Sequence, residues 1–289
     1  MKRSACLLVC LISLLSIHAQ SPVQMGEKIA YIDSNGSIIN QGMFKRGTPF
    51  SDGLAAVDVA AEGNKPKWFF ITSDFSIAIP YGYDTVGQFV GEICPVKKDG
   101  KWFYIGRNGL MRIDAQFTEA GNFIGGKARV KDAGGVYLID TSGLRLTPQN
   151  FEDISTWNGQ VFGAKYFGEP FWVLMNYDGQ TVLNDSFYGV WPSDNGIICV
   201  NRLGGYRFVD KKGDLLFGKA FMEARAFSQG WASIRMENDW FLMDERGKIK
   251  KDVRMKAGVR LNGAMTAAIN YNGKTGFLNR QANWIYRTP

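Results

Sequence analysis

The chain has 289 residues, 45% of them hydrophobic and 21% charged, with a formal net charge of +7. That balance is ordinary for a folded protein and excludes a disordered chain, which could not bury enough apolar surface to offset its ordering entropy. The single histidine is His18, near the N-terminus, so the remainder lacks the commonest general base and the commonest metal ligand.

The first predicted element is a secretory signal peptide over residues 1–19. Lys2 and Arg3 form its positive start, Leu7 to Ile17 its apolar run, and Ile17-His18-Ala19 a cleavage site ending on a small residue. The apolar run is too short to span a bilayer, and no later stretch qualifies, so no transmembrane segment is expected. Cleavage after Ala19 predicts an exported chain, periplasmic, surface-bound or extracellular, that starts at Gln20. It lowers the net charge from +7 to +5 by removing Lys2 and Arg3, and leaves two cysteines, Cys94 and Cys199. Lipidation at Cys10 is the rival expectation, disfavoured by the bulk of Val9 beside it.

Downstream, one pattern recurs. An aromatic or apolar anchor opens a short strand-like run at Ile29, Trp68, Trp102, Val136, Trp172, Tyr206, Trp240 and Thr275. From Trp102 to Trp240 the spacings are 34, 36, 34 and 34 residues. A second pattern precedes the later anchors: an aromatic, two polar or small residues, a Gly, then a short apolar run. Its copies begin at Phe50, Phe89, Phe123, Trp157, Ser193, Phe227 and Leu261. Two patterns held in phase over such a length mark a tandem repeat. The runs are short, alternating and rich in β-branched and aromatic residues, and therefore read as strands.

Between the anchor strand and the next lies Asp-x-x-Gly or a variant: Asp33 to Gly36, Asp140 to Gly143, Asp210 to Gly213, Asp244 to Gly247. Asp opens a type I turn by accepting from the turn backbone, and Gly takes the positive φ at the fourth place. Phe75 and Ala282 occupy that slot in two copies. A third strand follows each turn, so each unit reads as a three-strand meander. Tyr83 to Val86 and Phe151 to Ile154 are candidates for a short fourth strand in the connector.

The unit in which an aromatic-x-x-Gly-Leu-Ala-x-Val run precedes a Gly-Lys-Trp-Gly-Phe-Ile-Asp-x-x-Gly run resembles the WG-repeat family of bacterial proteins. Phe50 to Val57 and Lys101-Trp102-Phe103-Tyr104-Ile105 carry the likeness best, and it extends over residues 27–289. The Gly after Trp is mostly replaced, by Phe69, Phe103, Val173 and Phe241; only Gly276 keeps it. The resemblance implies an exported or multidomain repeat protein and carries over no catalytic residue.

The expected fold is therefore all-β: tandem meanders of about 34 residues in one domain, residues 20–289. A partial repeat is expected over 27–49, with full repeats starting near 50, 89, 123, 157, 193, 227 and 260. Such units bury their faces against neighbours. A propeller-like ring is the favoured arrangement, and an open β-solenoid or superhelix is the alternative.

The same register absorbs most residues that look functional. Cys94 and Cys199 fall where other copies have Ala55 and Ala56, and read as small buried thiols three units apart, too distant to pair. Asn176-Tyr-Asp178-Gly179 is the most oxygen-rich turn, yet supplies fewer than the six ligands that calcium needs. No catalytic, metal or cofactor-binding set emerges, and no cofactor is expected. Glu92 beside Gly91 is the one acidic residue that departs from the pattern; Glu169-Pro170 reads as loop. The main electrostatic feature is the cluster Lys248, Lys250, Lys251, Arg254 and Lys256, suited to an acidic partner such as an anionic glycan. The expected function is a non-catalytic binding or scaffold module for a protein or an anionic envelope component, with no nucleic-acid role. The alternative is a glycan-directed hydrolase using paired carboxylates.

Overall fold

The computed structural model describes residues 21–33, 35, 37–59, 67–261 and 265–287. The expected signal peptide over 1–19, its cleavage site and Cys10 lie outside the described residues. So do Gly36 of the first turn and residues 262–264 after Leu261. Every regular element among the described residues is a strand.

The strands form eight antiparallel sheets, and strand order within each follows sequence order. The first sheet holds β1 (Ser21–Met25), β2 (Lys28–Ile32) and β3 (Ile38–Phe44), and the second β4 (Ala55–Val59), β5 (Lys67–Ile71) and β6 (Ile77–Tyr83). The third holds β7 (Thr85–Val86), β8 (Ile93–Lys98), β9 (Lys101–Gly106) and β10 (Met111–Phe117). The fourth holds β11 (Glu119–Ala120), β12 (Lys127–Asp132) and β13 (Gly135–Asp140). The fifth holds β14 (Asp153–Trp157), β15 (Val161–Lys165), β16 (Trp172–Asn176) and β17 (Thr181–Phe187). The sixth holds β18 (Gly189–Pro192), β19 (Ile198–Arg202), β20 (Gly205–Val209) and β21 (Leu215–Phe221). The seventh holds β22 (Glu223–Ala224), β23 (Trp231–Met236), β24 (Asp239–Asp244) and β25 (Ile249–Met255). The eighth holds β26 (Met265–Ile269), β27 (Thr275–Asn279) and β28 (Trp284–Arg287).

Two details refine the sequence reading. The short strand expected in the connectors exists, but it opens the following sheet: β7 pairs with β8, and β14 with β15. A single residue, Asp84, separates β6 from β7, so the chain passes from one sheet to the next almost without a loop. The first sheet also has a strand ahead of residue 27. β1 pairs with β2 from Ser21↔Ile32 to Met25↔Lys28. Pro22 and the polar Gln24 mask its alternation in the sequence, and Pro22 is tolerated because β1 lies at the sheet edge.

The core consists of junctions between sheets. Ile29 and Tyr31 pack with Ala55, Val57 and Ile71 between the first two sheets. Phe70 and Ile79 meet Phe89 and Cys94 at the next junction, and Tyr104 and Phe117 meet Phe123 and Val130 at the one after. The series continues through Val136 with Phe162, Leu174 with Val200, Phe208 with Ala232, and Trp240 with Leu278. The last cluster closes it: Val23, Ala30 and Ile32 of the first sheet bury against Met265 and Phe277 of the eighth. Eight sheets with eight shared cores, the last joining the ends, make a closed ring. The arrangement is an eight-bladed propeller, the favoured alternative from sequence.

The hairpin turns behave as their residues require. Asp140 accepts from the backbone N–H of Ser142 and Leu144, each at 2.9 Å. Asp210 and Asp244 repeat the pattern with Lys212 and Asp214, and with Arg246 and Lys248. Asn176 does the same for Gln180 at 2.8 Å, a hairpin turn. The glycine slot carries two constraints. Gly109 has φ +77, and a Cβ there would lie 2.7 Å from Ile79 of the preceding sheet; Gly143 has φ +90 and would lie 2.9 Å from Ile113. Phe75 and Ala282 keep the positive φ, at 66° and 58°, without glycine. Phe75 is compensated by ring contacts with Tyr31 and Phe50.

Gly109→Ala and Gly143→Ala should therefore each destabilise by about 2–4 kcal/mol, the sum of a left-handed backbone cost and overpacking. Gly100 has φ +81 and open space around it, so Gly100→Ala should lose only the backbone part, about 1–2 kcal/mol. Urea denaturation of the three variants measures the difference, which isolates contact with the preceding blade.

Candidate functional site

Each copy places a short segment around its aromatic position, and these segments carry polar contacts between blades. Ser51 Oγ donates to the Phe89 carbonyl at 2.6 Å, Asn158 Nδ2 to the Ser193 carbonyl at 2.9 Å, and Ser228 Oγ to the Leu261 carbonyl at 2.7 Å. In all three, the residue after the aromatic position reaches the carbonyl at the aromatic position of the next copy. Ser155 Oγ donates to the Val190 carbonyl, and Thr156 Oγ1 to that of Pro192 at 3.2 Å. Gln88 N–H donates to Asn122 Oδ1 at 2.9 Å.

These segments surround a cavity of about 380 Å³. Ser155 and Thr156 come from the fifth blade, Trp191 and Tyr206 from the sixth, Ala224, Arg225 and Ala226 from the seventh, and Gly258 and Arg260 from the eighth. Ser155, Trp191 and Arg225 each lie two residues before the aromatic position of their copy, and Thr156, Ala226 and Arg260 one residue before. Equivalent positions of four consecutive blades face one space only at the ring axis. The same positions in earlier copies hold Thr48, Gly87, Gly121 and Pro49, Gln88, Asn122, all neutral. Among the seven copies, only those of the seventh and eighth blades bring charge to these positions.

The chemistry of the cavity is specific. Trp191 and Tyr206 stack at 5.8 Å with 16° between their planes. The Arg225 guanidinium lies 5.7 Å from the Trp240 ring centroid. Arg225 and Arg260 are exposed, and among the described residues neither has a carboxylate within ion-pair distance. The acids nearest in register are already engaged. Glu223 pairs with Arg235, and Glu119 and Asp153 both pair with Arg129, at 2.9 and 2.7 Å.

The basic cluster expected from sequence lies on β25, with Lys248 just before the strand and Lys256 just after it. Lys250 pairs with Asp252 at 3.2 Å, while Arg254 pairs with the buried Asp239, and Lys256 lies 3.9 Å from the same carboxylate. Arg254 also stands over the Tyr271 ring. Lys248 and Lys251 are exposed. Cys94 and Cys199 are buried free thiols in separate junction cores, and burial pushes both well above the ordinary thiol range. That suppresses the reactive thiolate.

Among carboxylates, Glu92 is exposed on a tight turn. Glu169 and Asp185 share the rim of an open cleft of about 660 Å³, and Asp185 is held by Arg202 at 2.9 Å. Every carboxyl with a resolved displacement moves down. The Lys67 hydrogen bond lowers Asp84, the Arg129 hydrogen bond lowers Glu119, and hydrogen bonds to Ser142 and the Asp214 N–H lower Asp140 and Asp210. A carboxyl that is stronger when folded contributes stability above its unfolded value and loses it as pH falls. The urea midpoint should therefore hold steady from pH 8 down to about 5 and fall below about 4.5. Glu119→Gln should flatten part of that acid slope.

The chain is similar to the crystal structure of a eukaryotic initiation factor, at 9% identity and TM-score 0.54, covering 94% of this chain and 84% of that one. It is also similar to BamB from Moraxella catarrhalis, at 10% identity and TM-score 0.46, covering 91% and 94%. Apo AztD from Citrobacter koseri matches at 12% identity and TM-score 0.46, covering 94% and 93%. Among curated proteins, none matches. The ring, its junction cores and its axial cavity define an eight-bladed β-propeller of tandem repeats. The WG containing repeat profile matches residues 30–59, 68–102, 102–137 and 206–240. The chain therefore carries WG containing repeats at four positions along its length.

Proposed function

We propose that this protein is a non-catalytic binding or scaffold module, exported after cleavage near Ala19, whose recognition surface is the axial face of the propeller. One observation carries this reading. Among the seven copies, the two positions just before the aromatic carry charge only at Arg225 and Arg260, and both line the cavity there. Concave sites with a few convergent polar groups on an apolar wall are where small ligands and extended segments bind.

The hydrolase alternative keeps one specific observation, the pair Glu169 and Asp185 on one cleft. The partner class is a protein or an anionic envelope component, with Lys248 and Lys251 available for salt-sensitive attraction. No helix among the described residues is long and apolar enough to cross a membrane.

A pull-down from the native cell envelope with the chain from Gln20 onward tests this directly. The expected outcome is saturable capture of a component that is returned unaltered. Release of new reducing ends from envelope polysaccharide, abolished by Glu169→Gln, would favour the hydrolase instead.

A further inference from the structure

We propose that the axial cavity is a binding site for an acidic sugar, a pyranose carrying a carboxylate. The inference rests on the binding-module reading and adds the ligand class. Three features of the lining combine. Arg225 and Arg260 are two exposed guanidiniums from adjacent blades without a carboxylate partner among the described residues. Paired guanidiniums suit a planar carboxylate, which accepts two parallel N–H donors. The Trp191 and Tyr206 rings, stacked at 16°, give a flat apolar wall beside them. Such a wall suits the C–H face of a pyranose, and it is not what a small hydrated inorganic anion requires.

Ser155 and Thr156 supply the third feature. Both hydroxyls donate to carbonyls of the sixth blade, Val190 and Pro192. Their hydrogens are therefore committed, and each oxygen keeps lone pairs turned to acceptance. A wall of acceptors facing two cationic donors matches a ligand with hydroxyl donors at one end and a carboxylate at the other. The cavity, about 380 Å³, is at the small end for ligand sites and holds one to two sugar rings. Small neighbours keep it open. A Cβ on Gly258 would lie 2.5 Å from the Trp240 ring that stands beneath Arg225.

Titration of the chain from Gln20 onward with trigalacturonate, followed by tryptophan fluorescence and calorimetry, tests the site. Binding is expected for trigalacturonate, with at least tenfold weaker binding to uncharged galactotriose. Arg225→Gln and Arg260→Gln should each weaken trigalacturonate binding at least tenfold, and Trp191→Ala should weaken it and remove most of the fluorescence change. Both arginines are exposed, so their variants should keep the parent's urea midpoint. Lys211→Gln, on an exposed hairpin turn outside the cavity, should leave affinity unchanged. Equal binding of galactotriose, arginine-dependent binding of inorganic phosphate or a poly-glutamate peptide with none of trigalacturonate, or no binding of any probe would overturn the proposal. An Arg225→Gln/Arg260→Gln chain that still captures its envelope component would reject this site while leaving the binding-module reading intact.

Discussion

Every sheet in this protein must bury both of its faces, and it has nothing to bury them against except the sheets on either side. A three- or four-strand meander cannot by itself enclose a core. The consequence is visible in the eight hydrophobic clusters, each drawn from two neighbouring blades. An open stack would leave one apolar face bare at each end. The contact of Val23, Ala30 and Ile32 with Met265 and Phe277 removes both bare faces at once.

Closure dictates where function resides. Residues that point between blades are consumed by packing, as Cys94 and Cys199 illustrate. Those in the Asp-x-x-Gly turns are consumed by backbone hydrogen bonds. The segments that ring the axis are held by carbonyl contacts such as Ser51 to Phe89 and Ser228 to Leu261, which fix the backbone and leave the side chains facing the cavity free to vary. Recognition can change there without cost to the junctions.

Much of this was legible in the sequence. The anchors from Ile29 to Thr275, the hairpin turns and the repeat length all followed from local chemistry. β1 did not, because Pro22 breaks the strand signal that its pairing with β2 overrides. The closed ring was the favoured arrangement from sequence, but the contact that closes it was not legible, since Ile32 and Phe277 meet across nearly the whole chain and no local pattern records it. The axial arginines were written in the sequence as departures: Arg225 stands where Gly87 and Gly121 stand, and Arg260 where Gln88 and Asn122 stand. Charge density pointed instead to residues 248–256, because density along the chain ignores Asp239 and Asp252, which pair with part of that cluster. Only a register that identifies the axis separates a free cation from a paired one.

The central claim is closure through the first and eighth blades. Spin labels at Met25 and Ile269, both exposed strand residues, with Cys94 and Cys199 replaced by Ala, measure it by pulsed electron resonance. A closed ring places neighbouring sheets about 10 Å apart, so a single short distance distribution is predicted, allowing for the label arms. Eight sheets stacked in an open line would separate the end sheets by about 70 Å, and a distribution centred there would contradict the account.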